Sequence, residues 1–459
     1  MRERLSSGIR RLDGLLGGGL PRGATSLIVG SPGSGKTMLA LQYLFANATP
    51  ERPGLYLATV SEPFEKVIRY GQTLRFFDPR LVGRSVFFDD LARSLEDGGL
   101  PSVLAEVTRL IRTRHPGVVV IDSFKPLSTY ADGREFRTFL TNLAGSLSVL
   151  DTSTFWIGEY EAAERGRAPE FAVADAVIAL ESAHHRERTV RELRVLKLRG
   201  SDFASGAHAY RLSEDGLQVF PRLADLGDLE PYTFAGSRVP SGVPALDDML
   251  GEGYIPGSST LCLGPTGCGK TLVGLHLLFK GSEAGETGLI ATFQENPSQL
   301  ERVASSFGWT LADERVSVLY RSPVDLYIDE WVYDLLETVE RVGARRVVVD
   351  SVTDIAFAAG DEQRFREYLY SLVQRLSRRG VNLFMTCELP ELFVVDRVGQ
   401  SGLASLCDNV VLLQYASDGA QIRRTLTVLK TRASEHETGV RRFRIDRRGI
   451  VLADPGADG

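Results

Sequence analysis

One eight-residue pattern occurs twice in this chain, as Gly30-Ser31-Pro32-Gly33-Ser34-Gly35-Lys36-Thr37 and as Gly264-Pro265-Thr266-Gly267-Cys268-Gly269-Lys270-Thr271. Both copies fit G-x-x-x-x-G-K-[ST]. Each stands between a short apolar run suited to a β-strand (Thr25 to Val29; Thr260 to Leu263) and a run suited to a helix (Met38 to Leu44; Leu272 to Lys280). In that context the glycines let consecutive backbone N–H groups converge on an anion, and the helix N-terminus adds its partial positive charge. The lysine then reaches the β- and γ-phosphates of a nucleoside triphosphate, and the hydroxyls of Thr37 and Thr271 are suited to ligate Mg²⁺.

The repetition extends beyond the loops. Ser7 to Gly23 aligns with Ser241 to Gly257, and the match continues through both loops, so the chain is a tandem duplication. Behind each loop a second β-type run leads to an acid, Gly54 to Glu62 and Gly288 to Glu295. Further on lie the most apolar runs of each half, Val118-Val119-Val120-Ile121-Asp122 and Val347-Val348-Val349-Asp350. A continuous run of β-branched residues implies a strand buried on both faces, as in a parallel sheet. An aspartate closing such a strand is costly to bury unless it serves a cation or the cation's water. Asp122 and Asp350 are therefore the candidates to hold Mg²⁺ through water, opposite Thr37 and Thr271.

Each half ends in more β-type runs, Thr154 to Glu159 with Ala176 to Leu180, and Asn382 to Glu388 with Asn409 to Leu413. These are followed by Lys197-Leu198-Arg199 and Lys430-Thr431-Arg432. Strands alternating with helical segments predict an α/β architecture: two tandem P-loop domains, each a mostly parallel sheet flanked by helices, with antiparallel strands added at one end. Pro231 and its glycine- and acid-rich surroundings put the boundary near residue 232, giving domains 1–232 and 233–459, and the tail after Val451 is expected to be disordered.

A hydrophobic content of 43% with 24% charged residues is that of an ordinary soluble protein. No apolar run approaches the roughly 18 to 20 residues a membrane span needs, and the N-terminal residues lack the apolar core of a signal peptide, so a cytoplasmic location is expected. The net charge of −6 disfavours nucleic acid as a partner, since such binders usually carry a basic excess. Cys262, Cys268, Cys387 and Cys407 show no metal-like spacing and read as reduced structural thiols, although oxidation of Cys268, inside the second loop, would obstruct nucleotide entry.

The leader Leu-Asp-x-Leu-Leu-Gly-Gly-Gly-Leu-Pro-x-Gly, the loop, the acid after the second strand, the Asp-Ser pair and the late Lys-x-Arg together resemble the KaiC family of RecA-like ATPases, across nearly the whole chain. The resemblance implies a homo-oligomeric, hexameric ring that binds ATP with Mg²⁺ between subunits and hydrolyses it as a signalling or timing switch, with signalling partners that the sequence does not identify. It also implies that Lys197, Arg199, Lys430 and Arg432 reach the γ-phosphate held by a neighbour. Two departures from the family pattern stand out. The first of two expected glutamates is Ser61 in one half and Gln294 in the other, leaving Glu62 and Glu295, so slow hydrolysis is expected. Of the paired phosphoacceptors only Ser405 survives, beside Ala404, which leaves at most a single-site serine autokinase. A RecA/RadA-like DNA recombination or remodelling motor is the competing enzyme reading, disfavoured by the few basic residues after Asp122 and Asp350. A nucleotide-dependent scaffold with little turnover is the third.

Overall fold

The computed structural model describes residues 3–59, 63–185, 188–223, 236–389, 402–418, 421–432 and 434–453. The chain divides into two compact units, Met1–Leu226 and Gly227–Gly459. The boundary expected near residue 232 lies outside the described residues.

In the first unit the sheet strands are β1 (Thr25–Gly30), β2 (Gly54–Ala58), β3 (Val86–Asp90), β4 (Val118–Asp122), β5 (Ser153–Gly158), β6 (Ala176–His185), β7 (Arg188–Leu198), β8 (His208–Ser213) and β9 (Gly216–Phe220). They lie in the order β3-β2-β4-β5-β1-β6-β7-β8-β9. The stretch from β3 to β6 is parallel, and β7, β8 and β9 are added antiparallel at one side. The second unit repeats this order, β12-β11-β13-β14-β10-β15-β16-β17-β18, with β10 (Ser259–Gly264), β11 (Gly288–Thr292), β12 (Val316–Tyr320), β13 (Arg346–Asp350), β14 (Asn382–Glu388), β15 (Asn409–Asp418), β16 (Gln421–Thr431), β17 (Arg441–Asp446) and β18 (Gly449–Leu452). The α/β duplication legible in the sequence is thus the observed fold.

The apolar runs are buried on both faces because successive side chains alternate. In β1, Ile28 faces the helix Lys36–Asn47, packing in one cluster with Leu39, Tyr43 and Leu44. Its neighbours Leu27 and Val29 face the opposite layer, with Val107 of the helix Ala92–Arg114 and Leu140 of the helix Gly133–Val149. Helices on both faces leave the carboxyl ends of the parallel strands as the open rim, where ligands bind in sheets of this kind.

The second strands stop earlier than the sequence suggested. β2 ends at Ala58 and β11 at Thr292, so Gln294 and Glu295 lie in the turn beyond the strand. Pairing at the C-terminus continues through Leu452, within the stretch expected to be disordered, and residues 454–459 lie outside the described residues. Among the described residues no helix is long and apolar enough to cross a membrane.

His276 fastens the loop helix of the second unit, Lys270–Glu283, to the C-terminal hairpin. Its Nε2 accepts a hydrogen bond from the Ile450 N–H at 3.0 Å, and its ring meets Trp309 edge-on at 4.8 Å. Burial lowers its pKa from 6.5 to about 4. The unfolded chain therefore takes up this proton at a higher pH than the folded one. The histidine's contribution is complete above pH 6.5 and is lost as the pH falls towards 4, by on the order of 3 kcal/mol. Urea unfolding at neutral and mildly acid pH is expected to show a smaller acid loss in His276→Asn than in the unaltered chain.

Candidate functional site

The two glycine-rich loops occupy equivalent places, each turning from the central strand into a helix: Gly30 to Gly35 between β1 and Lys36–Asn47, and Gly264 to Gly269 between β10 and Lys270–Glu283. Gly35 and Gly269, which precede the helices, have φ of 91° and 112°, a left-handed conformation that a side chain would strain. At the strand end the constraint is one of space. A Cβ on Gly30 would lie 2.1 Å from the carbonyl oxygen of Leu180, and one on Gly264 would lie 2.6 Å from that of Leu413.

Around each loop the lysine, the threonine and the strand-end aspartate converge. Lys36 Nζ donates to the carbonyls of Gly30 (3.1 Å) and Ser31 (2.8 Å), and Lys270 Nζ to those of Gly264 (2.9 Å) and Pro265 (2.8 Å). The Thr37 hydroxyl donates to Asp122 Oδ2 at 2.7 Å, and that of Thr271 to Asp350 Oδ2 at 2.6 Å. Each aspartate also accepts a second hydroxyl, from Tyr56 at 2.9 Å in the first unit and from Thr386 in the second. The peptide after each aspartate, Asp122-Ser123 and Asp350-Ser351, is cis.

These groups line a cleft in each unit. The first, of about 910 Å³, is bounded by Pro32, Gly33, Lys36, Thr37, Asp122 and Glu159 among others. The second, of about 320 Å³, is bounded by Thr266, Gly267, Lys270, Thr271, Asp350, Gln294, Glu295 and Glu388 among others. Ser34 and Cys268 point away from the clefts and are buried, with Cys268 in the apolar core. The thiol is therefore a packing group, and burial pushes its pKa up. All four cysteines are free.

In the second cleft Gln294 Nε2 donates to Asp354 Oδ1 at 3.2 Å. The neighbouring Glu295 is half-buried, and its Oε2 is buried without a hydrogen-bond partner. Burial, and then the charge of Asp350, raises its pKa. Asp350 and Glu295 line this cleft together with Thr271, oxygen donors of the kind a hard divalent cation takes. Among the described residues no three His, Cys, Asp or Glu side chains gather into a metal cluster. Glu62 and Ser61 lie outside the described residues.

The Lys-x-Arg cations do not line the cleft of their own unit. Lys197 Nζ donates to the carbonyls of Phe171 (3.0 Å) and Ala172 (3.1 Å), and Arg199 to that of Ala172 at 2.9 Å. Lys430 Nζ donates to those of Ala404 (2.8 Å) and Cys407 (2.7 Å), and Arg432 to that of Ser405 at 2.6 Å. In both units they satisfy the exposed carbonyls around a short helix, Pro169–Val173 or Leu403–Leu406, where cations are favoured. Burial, and then the neighbouring arginine, lowers the pKa of both lysines. Ser405 is exposed, its hydroxyl donates to the Gly402 carbonyl at 2.6 Å, and it too lies away from the second cleft.

Sequence reasoning passed over several groups that the fold brings to the loops. Glu159 Oε1 lies 3.4 Å from Lys36 Nζ, and Glu388 accepts the Thr266 hydroxyl. Tyr210 OH donates to the Ser34 carbonyl at 2.6 Å, and Tyr415 OH to that of Thr266 at 3.3 Å. Aligning the two repeats beyond their loops pairs Glu159 with Glu388, a signal that was present. The tyrosines come from different strands, β8 and β15, and left none.

Compared with known families, the chain matches the model described as "ATPase: KaiC" twice, over residues 5–224 and 239–457. It is 27% identical to the circadian clock oscillator protein KaiC of Picosynechococcus sp., over 98% of this chain and 90% of that protein. It is 27% identical to the circadian clock protein KaiC3 of Synechocystis sp., over 99% and 92%. With the circadian clock oscillator protein KaiC of Rippkaea orientalis it shares 26% identity, over 98% and 90%.

Because each loop has a single ammonium, Lys36→Ala and Lys270→Ala are each expected to abolish ATP binding at one cleft and spare the other. Calorimetric stoichiometry then falls from two nucleotides per chain to one, and an unchanged value would refute the assignment of that loop.

Proposed function

The chain belongs to the KaiC ATPase family, and from that premise we propose that it grips two ATP molecules per polypeptide, hydrolyses them slowly, and uses the cycle as a conformational switch. The observation that carries this reading is the lysine, threonine and aspartate constellation, built twice at the carboxyl ends of the same two strands. In each cleft the loop amides and the lysine hold the β- and γ-phosphates. The threonine hydroxyl and the aspartate, Thr37 with Asp122 and Thr271 with Asp350, would hold Mg²⁺, directly and through water. When bound, the ion neutralises the charge that develops across the β- and γ-phosphate oxygens. Glu295 completes the acidic wall of the second cleft, and Gln294, steadied by Asp354, can hydrogen-bond a water without taking its proton.

The finer part of the proposal concerns assembly. Clefts with no arginine among their described lining residues are suited to completion by a neighbouring subunit in a homo-oligomeric ring, taken as hexameric, with Lys197 and Arg199 or Lys430 and Arg432 supplied in trans. Such a cation can be worth roughly 10³ to 10⁵ in rate. To act, each must exchange its carbonyl partners on the short helix for a phosphate on the neighbour. The same exchange would bring Ser405, whose carbonyl Arg432 holds, towards an interface, the setting in which single-site autophosphorylation would occur.

Arg432→Ala is expected to reduce turnover at the second cleft while leaving ATP affinity little changed. Mixing it with a Lys270→Ala chain should restore part of the activity, because each chain supplies what the other lacks. Phosphate release from mixed oligomers, with sedimentation in the presence and absence of MgATP, measures both. A chain that stays monomeric with MgATP, or a mixture no more active than its parts, would defeat the trans arrangement.

A further inference from the structure

Hydrolysis at a phosphate loop requires a group that aims a water at the γ-phosphorus and accepts its proton. A serine or a glutamine at the position after the second strand lacks the basicity for that step. In the second cleft, moreover, Gln294 is engaged with Asp354, and Glu295 is half-buried with its Oε2 shut away from solvent. Among the described residues, the two clefts have two acids in common by position: the aspartate of β4 or β13, and the glutamate at the end of β5 or β14. We propose that Glu159 and Glu388 orient the attacking water and take its proton, a role that rests on the ATPase reading above.

Three observations support this. The first is topological. β5 pairs with both β1 and β4, and β14 with both β10 and β13, so these glutamates emerge between the strand that carries the loop and the strand that carries the aspartate. The register is the same in both units: Glu388 lies opposite Gly264, and Gly158 lies opposite Val29, which sets Glu159 beside Gly30. The second is contact. Glu159 reaches the phosphate-binding ammonium of Lys36 at 3.4 Å, and Glu388 reaches the loop hydroxyl of Thr266. The third is access. Both carboxylates are exposed on the cleft wall, where water can reach them.

The Lys36 contact also provides a trigger. While the ammonium sits beside Glu159, the carboxylate is paired with it rather than with a water. When triphosphate draws Lys36 onto its oxygens, Glu159 loses its partner and is free to hydrogen-bond a water beside the phosphate it must serve. The water oxygen then bonds to the γ-phosphorus while its proton passes to the carboxylate. The bond from the γ-phosphorus to the bridging oxygen breaks with its electron pair leaving on the β-phosphate of ADP. The carboxylic acid afterwards returns the proton to phosphate or solvent, and Lys36 closes again on Glu159.

The test uses the full-length chain with Glu159→Gln, Glu388→Gln and both together, measuring ATP affinity by calorimetry and phosphate release with γ-labelled ATP. Glutamine keeps the shape and the hydrogen bond but accepts no proton. The double variant is expected to lose about 10²- to 10⁴-fold in turnover, with ATP bound as tightly as before or, at the first cleft, more tightly. Glu159→Asp and Glu388→Asp keep a proton acceptor and should retain more activity than the glutamine variants. A double variant that binds ATP and releases phosphate at the unaltered rate would overturn the assignment of these carboxylates alone. An unaltered chain that neither binds nor cleaves ATP would overturn the ATPase reading itself.

Discussion

A hydrogen bond from a threonine hydroxyl to an aspartate, made once in each unit, joins two parts of the sheet that are not neighbours. The threonine belongs to the helix that follows the central strand and the aspartate ends the strand two places away, with β5 or β14 between them. A hydrogen bond to a charged partner contributes about 1.5–3 kcal/mol, enough to hold the two strand ends in one relative position. The phosphate loop, the cation donors and the intervening glutamate all take their places from that distance. Because the aspartate also accepts a second hydroxyl from Tyr56 or Thr386, its charge stays stabilised in a half-buried position where an unpartnered carboxylate would be costly.

The same backbone arrangement carries two different electrostatic settings. In the first cleft Lys125 lies on the wall, its ammonium 2.8 Å from Glu164 and over the ring of Tyr160 at 5.1 Å, and Lys36 has a carboxylate counter-ion. In the second cleft Asp354, Glu295 and Glu388 crowd the rim, and Glu388 binds a loop hydroxyl rather than the ammonium. Among the described residues, the first cleft is therefore lined by as many cations as carboxylates, and the second by more carboxylates than cations. Duplication preserved the fold and the lysine, threonine and aspartate arrangement while letting the charge around the two clefts diverge.

The Lys-x-Arg pairs follow a related logic. A lysine and an arginine two residues apart at the end of a strand would repel each other, and burial disfavours the charge of the lysine. The carbonyls of a short helix offset both costs within one chain. Arg199 and Arg432 add ion pairs, with Asp175 at 3.4 Å and Asp408 at 3.6 Å, that are solvent-accessible rather than buried.

The sequence by itself determined the duplication, the doubly covered parallel sheet, the two loops and their aspartates. Each of these is a local pattern with one physical solution: glycines where a backbone must turn or be approached, β-branched runs where both faces are buried, an acid where a buried strand ends. Only the tertiary structure decided which distant groups meet those patterns. Glu159 reaches Lys36, Tyr210 grips the first loop and Glu388 reaches the Thr266 hydroxyl because of strand order and register, and neither is encoded near those residues. The direction of Cys268 into the core and of Lys197 and Lys430 onto helix carbonyls was settled in the same way. Where a side chain points depends on the packing of its neighbours, and those neighbours are chosen by the fold as a whole.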